Sequence, residues 1–211
     1  MKGTIMSSDE KILKWLNDDI EDNIVEKPEA PPRKSYKKRI VAWLDILGIR
    51  AKIKNEKDYD AERIINIMST LATYVKSSCD KLSLQGVLDY SQIADGFMIV
   101  ADIEYADQIC SILAEIQWKI LINMKMLSRG AITAGNVSVS SQDNLIICPA
   151  YVDAYAMESE YAIYARTIIS NEFLNETKHY LSFEYIKEDS DKTAYIDYIA
   201  MGLLSFGLLL W

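Results

Sequence analysis

Histidine is almost missing from this chain: of its 211 residues only His179 is one, which excludes most metal sites built on imidazole. Cysteine is scarce as well. Cys79, Cys110 and Cys148 are odd in number and widely spaced, so neither a disulfide framework nor a zinc site can be built from them, and the usage suits a reducing cytoplasm. Positive charge is in deficit, with 23 Lys and Arg against 31 Asp and Glu and a formal net charge of -8. Nucleic-acid affinity depends on neutralising phosphates with Lys and Arg, so no nucleic-acid partner is expected. Long apolar runs are missing too. The run from Tyr198 to Trp211 is almost wholly apolar but falls short of the about 20 residues needed to span a bilayer. It reads as a docked helix, a strand completing a sheet or an interfacial segment, and no membrane contact is expected. Met1 to Glu10 is polar, so no secretory signal is expected and the chain is assigned to the cytoplasm.

What is present is enough apolar material, 50% of the residues, for the core of one α/β domain and hardly two. In residues 7–23, Ile12, Leu13, Trp15, Leu16 and Ile20 fall at helical spacing behind a serine cap. Pro28, Pro31 and Pro32 among charges make residues 26–38 an extended tether. The chain therefore divides into an amphipathic helix with tether (1–37), a domain (38–197) and the apolar terminal segment (198–211). Within the domain, Asp60 to Leu82 and Glu104 to Leu127 carry helical apolar stripes that read as core. Strand patterns occur at residues 39–46, 87–93, 96–100, 129–139 and 165–170. A hairpin turns at Ser141-Gln142-Asp143-Asn144 into Leu145-Ile146-Ile147, and Pro149 opens a helix to about Tyr161. Residues 184–193, with alternating charge, read as a solvated loop. The order β-α-α-β-β-α-β-β-α-β predicts an α+β, ferredoxin-like mixed or antiparallel sheet with helices packed on one face.

Two acids stand out. The apolar run Ile40-Val41-Ala42-Trp43-Leu44 stops on Asp45, with Ile46-Leu47-Gly48 following, and Ile93-Ala94-Asp95-Gly96-Phe97 sets Asp95 between two apolar strands. A carboxylate at the end of a buried strand needs a cation, a metal or hydrogen bonds. Two of them on different segments can converge on a hard divalent ion. The alternative is structural: Asp45 caps a helix beginning at Gly48, and Asp95-Gly96 makes a type I′ turn.

The segment Leu44-Asp45-Ile46-Leu47-Gly48-Ile49 resembles the first metal motif of the class III nucleotidyl cyclases, Phe-x-Asp-Ile-x-Gly-Phe. Ile93-Ala94-Asp95-Gly96-Phe97-Met98 resembles the second, Ile-Gly-Asp-x-x-Met. Ser128-Arg129-Gly130-Ala131-Ile132-Thr133-Ala134-Gly135-Asn136-Val137 is similar to their Arg-x-Gly-Ile-x-x-Gly-x-Val strand. The stretch from Cys148 to Glu158, with Tyr164-Ala165-Arg166-Thr167-Ile168-Ile169-Ser170, resembles a branch of bacterial anti-phage pyrimidine cyclases. The likeness runs in order from about residue 38 to about 172.

The resemblance implies a class III cyclase domain that converts a nucleoside triphosphate to its 3′,5′-cyclic nucleotide and pyrophosphate, using two Mn2+ or Mg2+ ions. It implies Asp45, Asp95 and the backbone carbonyl of Ile46 as metal ligands, and phosphate contacts from Gly48, Ile49 and Arg50 at a helix start, with Lys52 as a further charge. It also implies a homodimer with composite sites and a separate effector that responds to the cyclic product. Two departures bear on the substrate. Where purine cyclases carry a base-reading Lys this chain has Ser91, and the helix after the fifth strand lacks the family's Asn and Arg. The expected substrate is thus UTP or CTP, with Ser91 at the base, Arg129 at the phosphates, and Arg166 or Arg129 replacing the missing arginine at the transition state. The alternative is a catalytically inactive cyclase-like module that binds a nucleotide or only dimerises.

Overall fold

The computed structural model of the chain describes residues 36–49, 54, 61–83, 88–93, 95–140, 145–182 and 185–205. The expected helix at 7–23, residues 26–35 of the expected tether, Arg50, Lys52 and the turn at 141–144 lie outside the described residues.

Strand β1 (Lys37–Ile46) is central and almost continuously buried. It is flanked by β3 (Gly96–Ala101) and β4 (Ser128–Ser140), both antiparallel to it. β2 (Leu88–Ile93) extends the sheet beyond β3. On the other side follow β6 (Thr167–Ile169), parallel to β4, then β8 (Ala194–Ile196) and β7 (Ile186–Glu188). The order is β2-β3-β1-β4-β6-β8-β7, with β5 (Leu145–Ile147) paired to β4 alone. The helices among these strands are α1 (Ala61–Ser83), α2 (Ala106–Met124), α3 (Pro149–Tyr161), α4 (Asn171–Thr177) and α5 (Tyr198–Ser205). The run β1-α1-β2-β3-α2-β4, with spatial order β2-β3-β1-β4, is the ferredoxin-like core, and the fold is α+β as the element order predicts.

Strand periodicity explains the two sides of the sheet, because successive side chains point to opposite faces. Ile40, Ala42, Leu44 and Ile46 join the large core with Leu71 and Val75 of α1 and Ile109, Leu113 and Ile116 of α2. Val41 and Trp43 point the other way, into a second core with Met98, Val100, Val137 and Ala150 and Ala154 of α3. Helices therefore cover both faces rather than one. The small residues of α3 permit this: Ala150 approaches Gly135 so closely that a Cβ added there would lie 2.9 Å from the Ala150 Cβ.

Two segments differ from their expected form. Residues 184–193, expected as a loop, include β7 and the turn of the β7–β8 hairpin. Of the forms left open for 198–211, the described part is the helix α5. Gly202 lies flat against the Trp118 ring of α2, where an added Cβ would fall 2.1 Å from a ring carbon. No helix among the described residues is long and apolar enough to cross a membrane.

Candidate active site

Asp45 follows Val41 and Trp43 in the two-residue alternation of β1, so its side chain stands on the α3 face. Its antiparallel partners are Gly96 on β3 and Arg129 on β4. Asp95 directly precedes Gly96, so the hairpin brings the second acid beside the first. Gly96 is a paired strand residue without positive φ, so Asp95-Gly96 is not a type I′ turn, and Asp45 belongs to a strand rather than to a helix start. The Trp43 ring needs this glycine: a Cβ on Gly96 would lie 2.3 Å from two ring carbons.

Asp45 and Asp95 open onto one cleft of about 1170 Å³, ample for a small-molecule ligand. Gly48 and Ile49 line it. Gly48 has φ 89°, a left-handed conformation that glycine adopts without strain, and helical backbone follows at Ile49. Ile46 lines the cleft, as do Lys54 and, from α3, Tyr151, Tyr155 and Glu158. Burial raises the Asp45 pKa above its ordinary value and the Asp95 charge raises it further, while Arg129 acts in opposition. The pair is thus short of positive charge, and two carboxylate oxygen donors suit a hard divalent ion; that repulsion is the observation by which Mg2+ or Mn2+ fits these residues. No group of three or more acids, cysteines or histidines is arranged for a metal among the described residues.

Arg129 reaches across from β4. Its Nε lies 3.7 Å from Asp45 Oδ2 and touches Glu158 Oε1, and its Nη1 donates to the Ala162 carbonyl at 3.4 Å. Glu158 is 2% exposed, and its pKa is raised by burial, lowered by Arg129 and raised by Asp45. Ser159 donates to its other oxygen at 3.3 Å. Beneath the cleft the Trp43 ring meets Tyr151 and Tyr155 edge-on, with centroids 5.4 and 5.9 Å apart.

Two predicted site residues stand apart from this group. Ser91, on β2 opposite Met98, shares the α3 face but does not line the cleft. Arg166 does not line it either. The buried Arg166 guanidinium donates to Asp189, and to Asp191 at 2.7 Å, while it lies over the rings of Tyr164 and Tyr195. The β7–β8 turn supplies both acids, so the hairpin that was expected as loop is what holds the arginine. Conversely, Glu158, Tyr151 and Tyr155 line the cleft although the sequence assigns them no role. Their spacing of four and three puts them on one helical face, a signal that points into the sheet only once the side occupied by α3 is known.

A mixed sheet of this order with two strand-end acids defines a class III nucleotidyl cyclase fold. The chain matches the monomeric guanylyl cyclase domain of the RhoGC fusion protein from the aquatic fungus Blastocladiella emersonii, at 17% identity and TM-score 0.60, over 77% of this chain and 95% of that one. A bacterial light-regulated adenylyl cyclase matches at 13% identity and TM-score 0.55, over 82% and 99%. The adenylyl cyclase CyaB from P. aeruginosa matches at 17% identity and TM-score 0.52, over 76% and 92%. No family model and no curated protein sequence matches the chain.

Proposed function

We propose that the chain is a nucleotidyl cyclase that forms a 3′,5′-cyclic pyrimidine nucleotide, with UTP preferred to CTP, as a second messenger in anti-phage defence. The observation that carries the reading is the meeting of Asp45 and Asp95 at one cleft beside Arg129, on a sheet similar to guanylyl and adenylyl cyclase domains. In the reaction the ribose 3′-oxygen attacks the α-phosphorus, its proton leaves to solvent or to a basic group, and the bond to pyrophosphate breaks. Because the attack is intramolecular, the protein's work is positioning and charge stabilisation.

Asp45, Asp95 and the Ile46 carbonyl would hold two Mn2+ or Mg2+ ions, which supply Lewis acidity to the 3′-oxygen and to the triphosphate. Gly48 and Ile49, with Arg50, bind phosphate oxygens at the helix start. Arg129, the arginine that lines the cleft among the described residues, offsets charge on the phosphates as the bond breaks. Ser91 offers a single hydroxyl where a purine reader would carry lysine, and this supports the pyrimidine preference. The active form is a homodimer in which Ser91 serves the partner's cleft, and a separate effector reads the product.

The test is incubation of the purified chain with equimolar ATP, GTP, CTP and UTP and Mn2+, followed by identification of the cyclic product. Cyclic UMP ahead of cyclic CMP is expected. Predominant cyclic AMP or cyclic GMP overturns the substrate assignment, and no cyclic product from any of the four favours the inactive module instead. Asp45→Asn and Asp95→Asn are each expected to lower turnover by about 10²–10³-fold or more without loss of fold. Full activity in either variant removes the metal scheme.

A further inference from the structure

Arg129 faces two acids that compete for one guanidinium. Asp45 is directly opposite it in the β1–β4 register, and nothing in the register prevents a close ion pair between them. Yet the Nε stands 3.7 Å from Asp45 Oδ2 and in contact with Glu158 Oε1. Glu158 is buried beneath the cleft, its other oxygen bound by Ser159, and the contact with Arg129 lacks hydrogen-bond alignment. Arg129 and the Trp43 side chain both favour the charged form of Glu158 against its burial, and a buried carboxylate of this kind is a costly feature of α3 if the helix serves packing alone.

We propose that Glu158 is a positioning residue that draws Arg129 away from Asp45 and so keeps the Asp45–Asp95 pair free to bind a divalent cation. The proposal rests on the reading of those two acids as the cation site and assigns Glu158, which has no place in that reading, a specific part in it. Without the Glu158 charge the guanidinium turns to Asp45, the other acid it already faces at 3.7 Å, and fills the place of the metal with a side chain. With Glu158 present the cation site and the arginine stand side by side. Arg129 then meets an incoming triphosphate while the metal-binding acids stay open.

The experiment is Mn2+ titration of the full chain, followed by loss of the free-ion electron paramagnetic resonance signal and needing no substrate. Four forms are compared: the unsubstituted chain, Glu158→Gln, Arg129→Gln and the double variant, with Asp45→Asn as the control for the site. Glu158→Gln is expected to weaken Mn2+ binding about tenfold, less than the full effect of a unit charge a few ångströms away because the cleft is open to water. Arg129→Gln is expected to bind at least as tightly as the unsubstituted chain, and the double variant is expected to recover the affinity lost in Glu158→Gln. A role in packing alone predicts no such rescue, since the second substitution removes one more contact. Equal affinity in Glu158→Gln and the unsubstituted chain overturns the proposal, and so does a double variant as weak as Glu158→Gln. Should Glu158→Gln fail to fold, weaker binding in Arg129→Gln overturns it independently. Mn2+ binding that is missing from the unsubstituted chain, or unchanged in Asp45→Asn, overturns the cation site and this inference together.

Discussion

Asp45 carries a charge that its surroundings oppose. Burial disfavours its ionised form, Asp95 adds repulsion, and Arg129, shared with Glu158, compensates only in part. For an acid, a folded pKa above the ordinary 3.8 means that the native state holds the proton more tightly than the unfolded chain does. Its contribution to stability is then greatest at low pH and is lost as pH rises from about 3.8 through the raised folded value. The metal-free Asp45→Asn variant, which cannot ionise there, should accordingly melt higher than the unsubstituted chain at neutral pH, by about 2–4 °C. The gap should close as the pH falls toward 4, and Mn2+ should raise the Tm of the unsubstituted chain only. Melting curves across that range with and without Mn2+ decide it: a gap that is constant in pH means that the charge of Asp45 is not what destabilises the fold.

At the scale of elements, the parts legible in the sequence are those whose apolar period is set by one dominant burial. Met68, Leu71 and Val75 announce α1, and Ile109, Leu113, Ile116 and Ile120 announce α2, because each helix buries one stripe against the same sheet face. The strand ends at Asp45 and Asp95 were legible for a related reason, a charge stopping an apolar run. Helix α3 is different. Its buried residues are Ala150, Ala154 and Glu158, small or charged, with Val152 and Tyr155 exposed, so its pattern does not reveal which face of the sheet it covers. The short strands β7 and β8 were hidden because, Ile196 apart, their side chains are exposed or only half-buried, and their turn is acidic in order to meet Arg166. Terminal helix α5 depends on a close approach that no periodicity encodes, that of Gly202 against Trp118. Gly202→Ala should destabilise the fold by about 2 kcal/mol through overpacking, roughly 4–8 °C in Tm for a chain of this length. Its Mn2+ affinity should be unchanged, since no residue of α2 or α5 lines the cleft. An unaltered Tm means that α5 does not depend on this contact.

For the whole molecule, the distribution of exposed apolar surface bears on assembly. On the α3 side, Val152 is 63% exposed and Tyr155 50%, and Ile147 at the preceding strand is 50% exposed. Apolar side chains grouped in this way, on a chain whose net charge otherwise favours solubility, are what a protein–protein contact covers. Ser91 adds a functional reason for a second copy, because it stands on the α3 face without lining the cleft of its own chain. If the base is read across the dimer, the activity of each chain depends on its partner. Specific activity should therefore fall on dilution in proportion to the dimer fraction seen by sedimentation. Val152→Glu places a charge on the exposed face of α3, outside the metal-binding acids. It should shift the chain to monomer and lower turnover in step, while the circular dichroism and the Mn2+ affinity of the Asp45–Asp95 pair stay as they were. A monomer that turns over at the undiminished rate rules out the composite site, and the base must then be held within the single cleft, where Tyr151 and Tyr155 offer their rings beside the two acids.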